Sequence, residues 1–189
     1  MKTFWALTKR NVKVFFKDKG AFFSSLITPI ILLVLYMTFL AKVYRDSFVS
    51  GLNGYPAPES LINGTVAGQL MSSLLAVCCV TVAFCSNLLC VQDKTSGAAN
   101  DMLVSPVKRP AIAAAYSFAS FFATIIITLT ATAACLIYVA ATGWYMSFTD
   151  VLLVITDVFL LSAFGTALSS VVNSFLSTQG QAQAVGTIV

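Results

Sequence analysis

The distribution of charge constrains this chain most. Gly20 to Ala41, Ser60 to Gln92 and Ala111 to Thr149 contain no Asp, Glu, Lys or Arg, and after Asp150 the only charged residue is Asp157. An apolar helix needs only about 20 residues to cross the hydrocarbon core of a bilayer. Each uncharged stretch can therefore be a membrane span, and Val91 to Pro110, VQDKTSGAANDMLVSPVKRP, is the polar segment between two of them. Composition agrees: 58% of residues are hydrophobic, 10% are charged and the mean hydropathy is +0.89. Soluble domains average about 45–50% apolar and about 25% charged residues. The expected fold class is an all-α, polytopic helical membrane protein.

The first residues, Met1 to Lys19, have the pattern of an amphipathic helix. At about 100° per residue, Phe4, Trp5, Thr8, Val12, Phe15 and Phe16 share one arc, and Lys2, Lys9, Arg10, Lys13 and Lys17 share the adjoining one. Such a helix lies in the membrane interface, with rings in the acyl boundary and cations on lipid headgroups. The alternative is that these cations only set topology. The uncharged run that follows is too long for the h-region of a cleavable signal peptide. Six of the eleven basic residues precede Gly20, so the net charge of +4 points to a membrane surface and not to a nucleic-acid partner.

The expected spans are 20–41, with Pro29 kinking the helix and neighbouring helices or Ser24 and Ser25 occupying the freed backbone groups, then 68–90, 113–141 and 151–172. Residues 182–189 read as the start of a fifth span. Lys42 to Ala67, rich in Gly and Pro and carrying the sequon Asn63-Gly64-Thr65, reads as a loop. Ala111, Ala115, Ala119 and Ala123 in the third span, and Gly165 and Ser169 in the fourth, have the small-residue spacing of close helix contacts. Trp144 and Tyr145 fit an interfacial aromatic belt. Lys94, Lys108 and Arg109 join the N-terminal cations on one side, and Lys42 and Arg45 fall on the other, so the positive-inside rule predicts a cytoplasmic N-terminus. The whole chain reads as one transmembrane domain.

Five Cys (Cys78, Cys79, Cys85, Cys90, Cys135) lie in apolar stretches, His is absent, and no spacing suggests a metal site. No phosphate loop, H-E-x-x-H or G-x-S-x-G occurs, so no catalytic residue, bound cofactor or intrinsic enzyme activity is expected. Asp157 lies about 9 Å inside the fourth span if that span starts at Val151. It is either a pathway residue or a shallow, hydrated carboxylate. In the polar segment, Gly97 to Val104 can form a short helix stopped by Ser105-Pro106, with Pro110 in the first turn of the third span. Met102, Leu103 and Val104 then stand on an extramembrane element, where a partner or the membrane has to cover them.

The order of these parts, with D-K-x-x-G-x-x-x-D-M-L-x-S-P-V-K-R before the third span, resembles the membrane subunit of type 2 ATP-binding-cassette exporters. Asn173-Ser174-Phe175 and Gln179-Gly180-Gln181-Ala182 are similar to that family's connection between the fourth and fifth spans. The resemblance implies six spans, so the chain is expected to continue past Val189. It also implies pairing of permeases as homodimer or heterodimer, and a separate ATPase subunit that binds ATP and Mg. The docking residues it implies are Gly97, Asp101, Met102, Leu103, Pro106 and Arg109, with Leu103 as the anchor, beside the interfacial residues Phe4, Trp5, Lys9, Arg10, Lys13 and Phe16. The expected role is export across the cytoplasmic membrane, as in efflux of drugs or natural products. A self-sufficient secondary transporter or channel using Asp157, and a membrane assembly protein without transport, stay open as alternatives.

Overall fold

The structure is a computed structural model that describes residues 2–51, 58–104, 107–142, 147–176 and 178–188. Those residues form helices and short connections: α1 (Lys2–Lys17), α2 (Lys19–Leu35), a π turn (Tyr36–Leu40), α3 (Ala41–Gly51), α4 (Glu59–Thr95), α5 (Ala98–Val104), α6 (Arg109–Thr142), α7 (Phe148–Phe175) and α8 (Gln179–Ile188). Among the described residues, four stretches are long and apolar enough to cross a membrane: Ser25–Gly51, Glu59–Thr95, Arg109–Ala141 and Phe148–Phe175. The protein is an all-α polytopic membrane protein.

The first two spans run past their uncharged stretches, one on to Gly51 and the other from Glu59 to Thr95. In α2 the helix continues past Pro29, changes to i→i+5 bonding so that the Ala41 amide donates to the Tyr36 carbonyl, and runs on to Gly51. Lys42 to Ala67 is therefore not the loop expected. Its breakers Gly51, Gly54, Pro56 and Pro58 are confined to one short segment, whereas the flanking residues have helical periodicity. Ile62, Val66 and Leu70 of α4 form a small core with Tyr44 and Phe48 of α3. The sequon lies inside α4, where the Thr65 hydroxyl donates to the Leu61 carbonyl at 2.9 Å. Arg45 and Glu59 meet at 3.4 Å across this hairpin, both exposed, a pair of the kind that adds little to stability. The Ser25 hydroxyl donates to Phe22 O at 2.8 Å, so it serves the turn before it and not the carbonyl that Pro29 leaves free.

The longest helix, α4, is central and packs against α2, α3, α6, α7 and α8. It meets α7 closely at Gly165. A Cβ added at Gly165 would lie 3.2 Å from Ala83 Cβ, 3.2 Å from Cys79 O and 3.3 Å from Val80 Cα, so the glycine lets the two backbones approach without a shift of α4. On α6, Ala115, Ala119 and Ala123 are buried as their spacing suggests. Cys78, Cys79 and Cys135 pack with Leu74, Leu75, Val139 and Val158 in the core toward the α3 end, and all five cysteines are free thiols.

Polar side chains within the spans point at one another. The Asn87 amide of α4 donates to Ser169 (3.1 Å) and Ser170 (2.9 Å) of α7 and accepts from Ser120 of α6 (3.3 Å). Ser86 pairs with Thr124 at 2.8 Å and Thr128 with Ser162 at 3.3 Å. In hydrocarbon these groups have no water to turn to, so they cross-link α4, α6 and α7 into one three-helix unit. Residues 143–146, with the expected belt residues Trp144 and Tyr145, lie outside the described residues.

Candidate functional site

At the end of the bundle that carries α1 and α5, four helices meet on one carboxylate. α4 runs two residues past Asp93 to Thr95, which leaves that side chain 9% exposed between α1 and α6. Arg10 of α1 donates through Nη1 to Asp93 Oδ2 at 2.7 Å, and the Tyr116 hydroxyl of α6 donates to the same oxygen at 2.6 Å. The Tyr116 hydroxyl also lies 3.7 Å from Met102 Sδ of α5. Arg10 further donates to Asn11 Oδ1 at 2.9 Å. Burial by itself lowers the Arg10 pKa. The hydrogen bond and charge of Asp93 more than offset this, so the net direction is upward and the guanidinium stays charged.

The next residue along α4, Lys94, donates to the Asn173 carbonyl near the end of α7 at 3.2 Å. A cation on the last carbonyls of a helix is favourable on dipole grounds, and the contact brings α7 into the same junction. The Asn173 side chain is buried, and its amide finds no hydrogen-bond partner among the described residues. The Asn11 Nδ2 is in the same position.

α1 turns part of its expected lipid-facing arc onto the bundle. Its apolar arc does not simply sink into lipid: Phe15 is 3% exposed against Val82, Leu89 and Ile112, and Phe4 stacks edge-on with Phe118 at 5.5 Å. Thr8 and Asn11 are buried as well, and Phe16 is half-buried beside Phe15 and Phe22. Arg10, grouped above with the headgroup cations, turns inward to Asp93. Lys9, Lys13 and Trp5 remain exposed.

The expected short helix in the polar segment forms as α5. Gly97 precedes it with φ +82°, a left-handed conformation that a side chain would strain. Met102 points back into the bundle against Tyr116 and so is not part of an outward docking face, whereas Val104 is 88% exposed. Asp101 and Leu103 stand on α5, but their side chains lie outside the described part, as does Pro106. Arg109 opens α6 and is exposed. Asp157 is exposed on α7, far along the chain from this junction, and makes no hydrogen bond to a described residue.

Tyr116 was not singled out in the sequence, and Asp93 entered only as the acid of the D-K pair that opens the motif before the third span. The one available signal was an acid adjoining Lys94 where the uncharged run of α4 ends. Among the described residues the junction contains no nucleophile beside a base and no convergent ligand set. Its contacts join α1, α4 and α6 through Asp93 and reach α5 through Met102. The family model described as ABC-2 type transporter matches residues 2–189 of the chain. No curated protein and no solved structure matches it.

Proposed function

Because the chain belongs to the ABC-2 type transporter family, a family of membrane permeases, we propose that it moves substrate outward across the cytoplasmic membrane using ATP hydrolysed by a separate subunit. The observation that carries this reading is the mounting of α5. A seven-residue helix hangs between two spans, is held from within through Met102, Tyr116, Asp93 and Arg10, and turns Val104 outward. An element anchored on one side with an apolar residue exposed on the other suits transfer of a push from a partner into the spans.

The N-terminus is cytoplasmic in this reading, with α1, α5 and the cations Lys94, Lys108 and Arg109 on the inner side. The ATPase docks on α5, where Leu103 and Val104 fill a cleft and Asp101 and Arg109 contact its rim, and it holds the ATP and Mg. A second permease copy or homologue completes the transporter. The placement of Asp157 gives little support to a self-sufficient secondary transporter, because no described polar side chain is hydrogen-bonded to it.

Co-purification with the ATPase tests the proposal. Truncating a well-buried interface anchor costs about 2 kcal/mol or more. Leu103→Asp and Val104→Asp should therefore insert normally, yet lose ATPase binding by roughly thirtyfold and lose export, while Leu153→Ala in α7 retains both. Full ATPase occupancy and export in the double variant would reduce the segment to a connector.

A further inference from the structure

A groove of about 470 Å³ runs between α1 and α6, lined by Trp5, Ala6, Thr8, Lys9, Val12, Phe122 and Ile126. Its walls are almost wholly apolar. The Thr8 hydroxyl is already spent on Phe4 O at 3.0 Å, so it asks nothing of an occupant. Trp5 is 60% exposed, and at the mouth stands Lys9, which is exposed and pairs with no described residue. Lys13 follows one turn later on α1, also exposed.

The depth of the groove can be read from α6. That helix has 34 residues, so at 1.5 Å each it is about 51 Å long against a hydrocarbon core of about 30 Å. If it is centred, about 10 Å projects at each end. Phe122 and Ile126 lie about 20 and 25 Å from the Arg109 end by the same rise, and so stand at acyl-chain depth. Arg10, beside Lys9, meets Tyr116, six residues nearer that end. The groove therefore opens from a cation near the headgroups onto an apolar floor among the acyl chains.

From this we infer that the α1–α6 groove is a binding site for an anionic glycerophospholipid of the leaflet on the α1 side. One acyl chain lies against Trp5, Phe122 and Ile126, the phosphate sits on Lys9 with Lys13 near it, and Val12 lies between those cations beside the glycerol backbone. A zwitterionic headgroup brings its own cation toward Lys9 and Lys13, so charge selects an anionic one. A site of this kind would hold α1 on the bundle beside the Arg10–Asp93 pair. The inference rests on α1 lying at a membrane surface and is independent of the ATPase reading.

Trp5 itself reports occupancy. With Trp144→Phe it is the only tryptophan, and bromines on an acyl chain quench indole on contact. The full chain in phosphatidylcholine nanodiscs would receive increasing fractions of either brominated phosphatidylglycerol or brominated phosphatidylcholine. Brominated phosphatidylglycerol should half-quench Trp5 at a mole fraction roughly fivefold lower, the preference that one cation near the surface confers. Lys9→Gln should erase the difference, and Lys42→Gln, on the opposite end of the bundle, should keep it. Equal quenching by the two lipids, or a preference that survives Lys9→Gln, would overturn the assignment. ATPase co-purification is read separately, so loss of one conclusion does not carry the other with it.

Discussion

The junction on Asp93 makes a quantitative prediction. Its carboxylate is 9% exposed and takes two short hydrogen bonds, whereas its ionic partner Arg10 is 38% exposed. Removing Arg10 as Arg10→Met leaves a buried carboxylate with only the Tyr116 hydroxyl. A buried pair broken on one side costs about 3–5 kcal/mol. The half-exposed guanidinium puts this site near the low end, at about 3 kcal/mol. The Asp93→Leu change lets Arg10 turn to water and strands mainly Tyr116, at about 2 kcal/mol. In the double variant neither charge is stranded, so its loss should be about 2–3 kcal/mol, well short of the sum, with a coupling of about 2 kcal/mol. Reversible unfolding by SDS in mixed micelles, followed by circular dichroism, measures all four corners of the cycle. Additivity within about 0.5 kcal/mol would refute the reasoning, since residues that do not interact behave that way.

Gly165→Ala should destabilise by about 1–3 kcal/mol because the new methyl meets backbone of α4, whereas Gly68→Ala, which meets nothing within 4 Å in mid-helix, should stabilise by about 0.5–1 kcal/mol; thermal unfolding in detergent separates the two. Asn87→Leu removes three interhelical hydrogen bonds and should cost about 2 kcal/mol at the roughly 0.6 kcal/mol typical of each such bond in a membrane protein, and an unchanged midpoint would show that the network contributes nothing. Asn173→Leu deletes a buried amide with no described partner and should raise stability by about 1 kcal/mol; a fall would mean that the amide is satisfied in the folded protein.

The spans were legible because they depend on one local property, uninterrupted absence of charge, which the bilayer enforces residue by residue. The α3–α4 hairpin was less so. Lys42 to Gly51 and Glu59 to Ala67 mix charges, Gly and hydroxyls, and the helical periodicity of Ala41, Tyr44 and Phe48 against Ile62, Val66 and Leu70 becomes evident only when the two faces are set together. The small-residue spacings on α6 and α7 correctly marked close contacts, since a short side chain has the same consequence whichever helix approaches it. The Asp93 junction was hidden for a different reason. Arg10 and Asp93 are 83 residues apart, and nothing local distinguishes an arginine that turns inward from the lysines beside it that stay in water. Tyr116 sits in an uncharged run, where an aromatic residue reads as packing.

The length of α4 has a mechanical meaning. Its 37 residues make a rod of about 55 Å, and the tight contact of Gly165 with residues 79 to 83 falls close to its middle. A rod gripped at its centre behaves as a balance beam. Each degree of tilt about that grip carries Asp93 about 0.3 Å one way and the Glu59 end about 0.6 Å the other, from arms of about 18 and 33 Å. Any thrust on α5 strong enough to rock α4 would thus arrive at the α3–α4 hairpin with its direction reversed. Opening on one face of the membrane and closing on the opposite face would then be one motion.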